Sequence, residues 1–334
     1  MIKVAINGFG RVGRCVLRAL VQSGRADIRI VAINSRTDAK TAAHLLKYDS
    51  THGVMGEEVT AQDDAICING NEISYSRESE IFALSWGEQN IDVVLECAGS
   101  FNNAEQANKH IKAGVKKVLI SAPAEDAALT VVYGVNHKDL TADMKVVSNA
   151  SCTTNCLVPV AKVLHELAGI ESGLMTTAHA YTADQRLLDN SHKDLRRARA
   201  AAASIVPTKT GAAEAIGLVL PELAGKLSGI AVRVPTMNVS LVDLSACLSR
   251  EVSAAAVNNA MQKAAAGELA GVLAVNEEPL VSTDFKGRSE SAVFDATLTQ
   301  TAPGNLLKVF AWYDNEWGFA HRMLDTAVAM MKAQ

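Results

Sequence analysis

The sequence predicts an α/β protein of two domains, the first of which is built on a doubly wound parallel sheet. The chain has 334 residues and is 49% hydrophobic, so it can bury a large core, and this length favours two domains. Short apolar strands alternate with helical stretches as far as residue 150, which is typical of a parallel sheet covered by helices. From residue 151 on, longer strands are joined by polar loops, which predicts an α+β second domain with a mixed or antiparallel sheet.

The chain opens with a βαβ unit that contains a glycine-rich turn. A strand over residues 3–7 leads into the turn, a helix follows over 14–22, and a second strand over 28–34. In the pattern G-x-G-x-x-G the first glycine allows the tight turn, the second lets a pyrophosphate approach, and the third lets helix and strand pack closely. Because the motif lies between a strand and a helix, it predicts a dinucleotide-binding domain. The predicted cofactor-binding residues of this turn are Asn7, Gly8, Phe9, Gly10, Arg11, Val12 and Gly13.

Two later strands extend the predicted sheet, over residues 93–96 and 117–120, with a helical stretch over 104–113 between them. Such sheets bind ligands beyond the carboxyl ends of their strands. Gly99 and Ser121 lie just after these two strands, so they are further candidate cofactor-binding residues.

The end of the second strand departs from the pattern that is usual for NAD. An NAD-specific site has Asp or Glu there to bond the adenosine ribose, whereas this chain has Ser35 and Arg36 after Asn34. Asp38 follows too late, inside the loop. The missing carboxylate removes repulsion against a 2′-phosphate and Arg36 could pair with one, so we predict that NADP is accepted as well as NAD, or preferred. The alternative is that Arg36 is an ordinary solvated loop residue.

A cysteine surrounded by hydroxyl and amide residues lies where a helix is predicted to begin. A strand over residues 145–148 precedes Cys152, and the dipole of the following helix favours a thiolate at its N-terminus. His179 is a plausible base for this thiol, and the two predict covalent catalysis on a carbonyl. A cysteine is more often an inert, small apolar side chain, but the polar neighbours of Cys152 argue against that. Cys156, one turn later, is predicted to be a buried bystander or a secondary thiol.

Cations and hydroxyl groups cluster after His179. A charge run is usually a solvated face, but the run over residues 181–200 mixes cations with hydroxyls, which suits anion binding. A second cluster lies at residues 208–211. Arg233 lies in an otherwise apolar strand, where a charge is costly unless it is paired with a substrate phosphate or a protein carboxylate.

Charge and cysteine spacing exclude several classes of protein. A net charge of -4 suggests neither a nucleic-acid nor a membrane partner. The six cysteines are scattered without C-x-x-C pairs, which predicts no metal site and no disulfide framework and favours a reduced, cytoplasmic compartment. The N-terminus enters a strand at once, without the apolar region of a signal peptide.

These motifs together resemble one family. The chain resembles the phosphorylating glyceraldehyde-3-phosphate dehydrogenases over essentially its whole length. The matching segments are residues 7–11, 45–50, 148–155, 192–200 and 312–318. The resemblance implies a dinucleotide-binding domain over residues 1–150 and 316–334, because the C-terminal helix, over residues 320–332, returns to it, and a catalytic domain over 151–315.

The resemblance also implies roles for individual residues. Cys152 would attack the aldehyde of glyceraldehyde 3-phosphate, with His179 as base, and inorganic phosphate would cleave the resulting thioester. Thr182 and Arg233 would hold the substrate phosphate while Asp184 orients nearby groups. The attacking phosphate would be bound by Ser151, Thr153, Arg197, Thr210 and Gly211. Asn315 would fix the nicotinamide carboxamide and Ser121 would lie near that ring. Members are typically homotetramers in which the 181–205 loop reaches a neighbour's cofactor site.

Some positions depart from the family pattern. NAD-using members carry Asp where this chain has Ser35, and often Pro where it has Ser191, which resembles NADP-accepting members at both places. Lys209 stands where Thr or Ser is usual, which affects the local phosphate geometry. The closest rival is erythrose-4-phosphate dehydrogenase, a sister enzyme that shares the Cys/His pair. A non-catalytic nucleotide-binding protein and a thiol hydrolase are further alternatives, but the first leaves the Cys/His pair unexplained and the second leaves the dinucleotide site unexplained.

Overall fold

The computed structural model describes residues 1–334, and its contacts divide the chain into two compact units. The first unit comprises Met1–Ser151 with Ala320–Gln334, and the second comprises Cys152–Phe319. The sequence prediction placed these divisions after residues 150 and 315. Both units are α/β in composition, and the predicted fold class is confirmed.

The first unit is built on a nine-stranded sheet in the order β10-β11-β9-β8-β1-β2-β7-β6-β5. Seven strands, from β10 through β2 to β7 in this order, all pair in parallel. The last two strands, β6 and β5, pair antiparallel and form the far edge of the sheet. A two-stranded hairpin, β3-β4, lies outside this sheet. The strands are β1 (Ile2–Asn7), β2 (Ile28–Asn34), β3 (Tyr48–Asp49), β4 (Gly53–Val54), β5 (Val59–Ala61), β6 (Ala65–Ile68), β7 (Asn71–Ser76), β8 (Val93–Glu96), β9 (Lys117–Ile120), β10 (Leu129–Thr130) and β11 (Val146–Ser148).

The central strands of this sheet are buried along their whole length. Strands β8, β9 and β11 have only buried residues, as expected where helices cover both faces of a parallel sheet. The helices are α1 (Arg11–Ser23), α2 (Ala39–Lys47) and α3 (Ala104–Lys112). Asp38 and Asn103 cap α2 and α3 by accepting hydrogen bonds from Thr41 N and Gln106 N, both at 2.8 Å. The Asp38 carboxylate is therefore hydrogen-bonded to the N-terminus of its own helix.

The C-terminal helix packs on the first unit. Helix α6 (Trp317–Lys332) follows the strands and helices of the second unit in the sequence, and its residues from Ala320 on belong to the first unit. Arg25 donates to the Asp325 carboxylate at 2.5 Å, and the buried Lys117 ammonium donates to Met330 O at 2.7 Å. Thr326 donates to Asn149 Oδ1 at 2.8 Å. These hydrogen bonds hold helix α6 against the rest of the first unit.

The second unit is built on an eight-stranded mixed sheet in the order β13-β14-β12-β15-β19-β17-β16, with β18 paired to β19. Pairs β12-β14 and β16-β17 are parallel and the others antiparallel. Along β15 buried and half-buried residues alternate, as in a strand with one covered face. The strands are β12 (Ile170–Ala180), β13 (Val206–Lys209), β14 (Leu227–Val234), β15 (Ser240–Leu248), β16 (Leu273–Asn276), β17 (Ala292–Asp295), β18 (Gln300–Ala302) and β19 (Leu306–Tyr313), and the helices are α4 (Cys152–Ala168) and α5 (Ala254–Ala266).

Two helices begin earlier than the sequence predicted. Helix α1 starts at Arg11 rather than at residue 14, because Gly10 acts as its extended N-cap and accepts a hydrogen bond from Arg14 N at 3.0 Å. Helix α6 starts at Trp317 rather than at residue 320, because the Asp314 carboxylate accepts from Glu316 N and Trp317 N. Helix α3 ends at Lys112, one residue before its predicted end. None of the helices is both long and apolar enough to cross a membrane.

Candidate active site

Cys152 is the first residue of helix α4, as the sequence predicted. The chain reaches it through a tight turn in which Ala150 adopts a left-handed conformation with φ of 57°. The first N–H groups of α4 have no partners within the helix, and the positive end of its dipole lies at this residue. Cys152 is half-buried, whereas Cys156 is fully buried and its thiol contacts Ala311 O at 3.8 Å.

His179 lies at the end of β12 and meets the thiol. Its Nε2 atom is 3.5 Å from Cys152 Sγ, and its Nδ1 atom is 2.7 Å from Ala180 O. A carbonyl accepts only, so we assign the proton of the neutral imidazole to Nδ1. Nε2 is then an acceptor aimed at the thiol, which is the arrangement that a general base requires.

Arg233 is the neighbour of His179 across the sheet, because the β12-β14 register pairs the two residues. Its Nη1 atom donates to Ala180 O at 3.0 Å and lies 2.9 Å from His179 Nδ1. Its Nε atom is buried and has no hydrogen-bond partner. An unpaired buried donor on a cation is costly, so this guanidinium suits an anionic ligand.

Burial shifts the ionisation of both reacting groups. It lowers the pKa of His179 to about 3, with a further lowering by the charge of Arg233, against the hydrogen bond to Ala180. Burial also raises the pKa of the Cys152 thiol, while the charge of Arg233 and hydrogen bonds at Thr153 act in the opposite direction. The helix N-terminus was expected to favour a thiolate, and the structure shows that burial opposes it. Both shifts therefore disfavour the charged form of each group.

Tyr313 is a part of this site that sequence reasoning missed. Its hydroxyl lies 2.8 Å from both Thr153 Oγ1 and Thr177 Oγ1, and its ring meets the edge of His179 with centroids 5.9 Å apart. The buried hydroxyl of Thr153, which was predicted to bind phosphate, is thus hydrogen-bonded to the Tyr313 hydroxyl. Alternation along β19 places Tyr313 on the covered face, and this was the signal that could have found it.

A second guanidinium, Arg197, is held by protein groups. It donates to Thr208 Oγ1 at 2.9 Å, to Lys209 O at 3.3 Å and to the Asp184 carboxylate. Burial acts to raise the pKa of Asp184, but hydrogen bonds from Arg197 and His192 outweigh it and hold that pKa below its usual value. The charge of Arg197 also lowers the pKa of both His179 and Arg233, so these three groups share one electrostatic environment.

The remaining predicted phosphate ligands lie in the second unit and in the turn before α4. Thr182 O and Thr210 Oγ1 each accept a local backbone hydrogen bond, from Gln185 N at 2.9 Å and from Ala212 N at 3.3 Å. Gly211 is exposed, with open space where a Cβ would lie. Ser151, the residue before Cys152, is half-buried.

A crevice in the first unit lies at the carboxyl ends of its central strands. It is a cavity of about 290 Å³, and its lining includes Asn7, Gly8, Phe9, Gly10, Asn34, Ser35 and Arg36. A Cβ on Gly8, whose φ is 93°, would lie 2.3 Å from Ala98 N, and one on Gly13 would lie 2.4 Å from Gly8 O. Gly10 has open space instead, so a ligand can approach its backbone. The close contacts at Gly8 and Gly13 thus leave no room for side chains, and the role of Gly10 in cofactor binding stays a prediction.

Five predicted cofactor residues of the first unit are not among the lining residues of this crevice, namely Arg11, Val12, Gly13, Gly99 and Ser121. The Arg11 side chain forms an ion pair with Asp49 at 2.5 Å, and Arg11 is the first residue of α1. Gly99 (φ 73°) and Ser121 follow β8 and β9 but are not among the lining residues. Ser121 contacts the Cys97 thiol, whose pKa burial raises to about 12.

The comparisons with known proteins agree with this geometry. Residues 2–104 match the family model "Glyceraldehyde 3-phosphate dehydrogenase, NAD binding domain", and residues 151–315 match "Glyceraldehyde 3-phosphate dehydrogenase, C-terminal domain". The plasmid-encoded glyceraldehyde-3-phosphate dehydrogenase of Cupriavidus necator is 56% identical over 100% of this chain and 99% of its own length. The corresponding protein of Geobacillus stearothermophilus is 55% identical over 98% of this chain and 97% of its own. The chain belongs to the glyceraldehyde-3-phosphate dehydrogenase family. The predicted resemblance is thereby confirmed.

In this dehydrogenase family member a hydroxyl group connects Asn315, a predicted cofactor-binding residue, with the backbone next to His179. Ser240 Oγ accepts from Ala180 N at 3.1 Å and donates to Asn315 Oδ1 at 2.8 Å. Val239, just before it, has a φ of 64°, which is a strained conformation for a β-branched residue. Because the Oδ1 atom of Asn315 is occupied, its Nδ2 atom is left as the donor for an external acceptor. Sequence reasoning found Asn315 but not Ser240.

The segment that contains Ser191 is exposed. Ser191 N bonds to Asn190 Oδ1 at 2.7 Å, and Arg186 Nε donates to Ser191 O at 2.9 Å. The structure thus presents Ser191 at the surface of the second unit.

Proposed function

We propose that this protein catalyses the phosphorylating oxidation of D-glyceraldehyde 3-phosphate to 1,3-bisphosphoglycerate. The observation that carries the proposal is the Cys152–His179 pair at 3.5 Å beside an arginine with an unpartnered buried donor. A nucleophile, a base and an anion-binding group within one site suit a phosphorylated aldehyde.

The chain's own groups account for the proton movements. His179 Nε2 takes the thiol proton as Sγ bonds to the aldehyde carbon, and the proton then goes to the new oxyanion of the hemithioacetal. The nicotinamide dinucleotide, when bound, supplies the hydride acceptor. As the hydride leaves the carbon, His179 takes the hydroxyl proton and a thioester remains on Cys152. Inorganic phosphate attacks the thioester carbonyl, the carbon–sulfur bond breaks, and the proton on His179 returns to the sulfur.

Two anion sites belong to this proposal. Arg233 and Thr182 hold the phosphate of the substrate, with Asp184 orienting Arg197 through their ion pair. The attacking phosphate is bound by a second set of groups, namely Ser151, Thr153, Arg197, Thr210 and Gly211. Because the Thr153 hydroxyl is hydrogen-bonded to the Tyr313 hydroxyl, the Thr153 backbone N–H at the start of α4 serves in this set rather than a free hydroxyl.

We also propose that NADP is accepted as well as NAD. Ser35 and Arg36 line the crevice, and no carboxylate of the first loop competes there because Asp38 caps α2. Arg77, which sequence reasoning did not consider, donates through Nε and Nη2 to Arg36 O at 3.3 Å each. Two guanidinium groups at this place favour a 2′-phosphate. Ser191 in the exposed 181–205 loop adds a hydroxyl group of the kind that the resemblance associates with NADP.

The test is the initial rate of glyceraldehyde 3-phosphate oxidation with inorganic phosphate, with NAD and NADP compared over a concentration series. We expect phosphate-dependent turnover with both, and loss of turnover in Cys152→Ser. Ser35→Asp should raise the KM for NADP selectively, because it adds a carboxylate against the 2′-phosphate. Turnover with NAD alone would refute the cofactor proposal. Faster turnover of erythrose 4-phosphate than of glyceraldehyde 3-phosphate would show that erythrose 4-phosphate is the preferred substrate.

Self-association is a further part of the proposal. Four large apolar residues of the 181–205 loop are 70–82% exposed, namely Leu187, Leu188, Leu195 and Ile205. So much exposed apolar surface in one loop marks an interaction site, and we propose that it is covered by further copies of this chain in a homotetramer. Native mass spectrometry should show four chains, and a monomer at micromolar concentration would contradict this. The six free cysteines suit a reduced, cytoplasmic setting.

A further inference from the structure

A buried carboxylate in the first unit has no role in the reaction described above. Glu96, the last residue of β8, has no solvent exposure and accepts three hydrogen bonds. Its Oε2 atom accepts from Asn7 Nδ2 at 2.7 Å and lies 3.0 Å from His110 Nε2, and its Oε1 atom accepts from Ala98 N at 2.8 Å. Burying a carboxylate is costly, so three donors on one group indicate a site that depends on this acceptor.

The hydrogen bonds continue from Glu96 across the edge of the sheet. Asn7 Oδ1 accepts from Asn34 Nδ2 at 2.9 Å, and Asn34 Oδ1 accepts from Ser76 Oγ at 3.1 Å and from Glu78 N at 2.9 Å. These residues end or follow β8, β1, β2 and β7, which are adjacent in the sheet. One chain of side-chain hydrogen bonds therefore ties together the carboxyl ends of four neighbouring strands.

This network forms part of the wall of the dinucleotide crevice. Asn7, Asn34, Glu78 and Ala98 belong both to the network and to the lining of the cavity. The backbone at Ala98, held by Glu96 Oε1, is also the one against which Gly8 packs. The position of the glycine loop is thus set from two directions by a single carboxylate.

Glu96 also determines which way the amides point. A carboxylate accepts only, so Asn7 must turn its Nδ2 atom towards Glu96 and its Oδ1 atom towards Asn34. Asn34 must then present Nδ2 to Asn7 and Oδ1 to Glu78 N. An amide in place of the Glu96 carboxylate could present either its oxygen or its nitrogen to Asn7. The directions of all the hydrogen bonds in the series could then reverse.

His110, on α3, holds Glu96 from the other side. It is fully buried, and its ring stacks on Trp86 at 5.6 Å with an interplanar angle of 14°. Phe101, which lines the crevice, meets the ring edge-on at 6.2 Å. Because aromatic rings fix the imidazole on two sides, its Nε2 atom stays directed at the carboxylate.

We propose that Glu96 and His110 are positioning residues for dinucleotide binding, which orient the Asn7 and Asn34 amides and the Gly8 loop in the crevice. Neither residue touches the cofactor or the reacting atoms in this proposal. It rests on the dinucleotide-binding role of the first unit, but not on the identity of the aldehyde.

The test measures the Kd of NAD and NADP for the full chain by isothermal titration calorimetry, together with the dinucleotide KM and kcat. Glu96→Gln should raise Kd and KM by roughly tenfold or more, because hydrogen bonds to a charged group are lost or reversed. The kcat at saturating dinucleotide should stay within about twofold, because the groups that react are intact. His110→Phe, which keeps a ring against Trp86, should act in the same direction, and His110→Gln, which restores an N–H donor, should recover most of the affinity.

The matched control is Ile91→Val, a substitution in the apolar core that contains Trp86. It lowers the melting temperature without touching the network, so its Kd should equal that of the wild type. The proposal is overturned if Glu96→Gln and His110→Phe bind both dinucleotides as the wild type does, or if His110→Gln and His110→Phe lose the same affinity. If Glu96→Gln does not fold, the two His110 variants decide alone. Binding is measured without substrate, so a wild type that binds dinucleotide but does not oxidise the aldehyde would refute the proposed function and leave this test valid.

Discussion

At the scale of single residues, the site depends on groups that act through their neighbours. Ala180 O accepts hydrogen bonds from both His179 Nδ1 and Arg233 Nη1, so one carbonyl determines the tautomer of the imidazole and the position of the guanidinium. Ser240 performs a similar task for Asn315. Cys152 and His179 could be predicted because a polar cysteine at a helix start is unusual. Ser240 could not, because a single hydroxyl residue in a strand has no distinctive spacing, whereas the alternation along β19 could have placed Tyr313 on the covered face.

Arg233→Lys should weaken binding of the phosphorylated substrate. Lysine keeps the charge but loses Nε and the planar fork, so kcat/KM for glyceraldehyde 3-phosphate should fall by about 10- to 100-fold. Unphosphorylated glyceraldehyde should be affected far less, and steady-state rates on both aldehydes provide the comparison. An equal loss on both would show that Arg233 acts chiefly through His179.

Ser240→Ala should loosen the hold on Asn315. Loss of one hydrogen bond at about 1 kcal/mol corresponds to a rise of roughly fivefold in the dinucleotide KM. Ser245→Ala, on the same strand but half-buried, is the matched control and should leave that KM unchanged. A KM unaltered in Ser240→Ala would mean that Asn315 is positioned by other groups.

At the scale of elements, strand ends and helix starts carry both candidate sites. The crevice lies where β1, β2 and β8 end and α1 begins, and the thiol lies where α4 begins. Periodicity and glycine spacing predicted these places, because both are local properties of the chain. The Glu96 network could not be predicted, since its hydrogen-bonded partners are up to 89 residues apart in the sequence. Only the strand order makes them neighbours.

Asp49 should make the stability of the first unit depend on pH. Burial acts to raise its pKa, but hydrogen bonds from His52 N and Arg11 lower it to about 2. A pKa that folding lowers contributes stability above the unfolded value near 3.8, and this contribution is lost as the pH falls towards 2. Asp49→Asn should therefore cost about 1 kcal/mol at pH 7 after allowance for screening, and less at pH 3. Urea unfolding at both pH values measures this, and a cost that is equal at both would contradict it.

At the scale of the whole molecule, the chain combines a parallel dinucleotide-binding unit with a mixed-sheet unit that carries the thiol. The sequence predicted both sheet types and placed the divisions after residues 150 and 315, while the contacts place them after residues 151 and 319. The second division differs because α6 begins in one unit and continues in the other, and a helix boundary leaves no composition shift in the sequence.

Dinucleotide binding should raise the thermal stability of the full chain. A ligand at 100 times its Kd stabilises the folded state by about 2.7 kcal/mol, which corresponds to a rise of a few degrees in Tm. If NADP is accepted, its titration should raise Tm at concentrations comparable with or below those of NAD. Differential scanning calorimetry measures this, with adenosine as the control ligand that lacks the phosphates. A shift with NAD alone would count against the roles of Ser35 and Arg36.

The sequence by itself determined the family, the fold class and the βαβ unit, and it singled out Cys152 and His179 as the candidate nucleophile and base. These depend on local patterns, namely glycine spacing, strand and helix periodicity, and the residue types next to Cys152. The tertiary structure decided the tautomer of His179, the partner-free Nε of Arg233, the approach of Arg77 to Arg36 and the series of amides that begins at Glu96. Each of these is a contact between distant segments, and strand register and burial set such contacts.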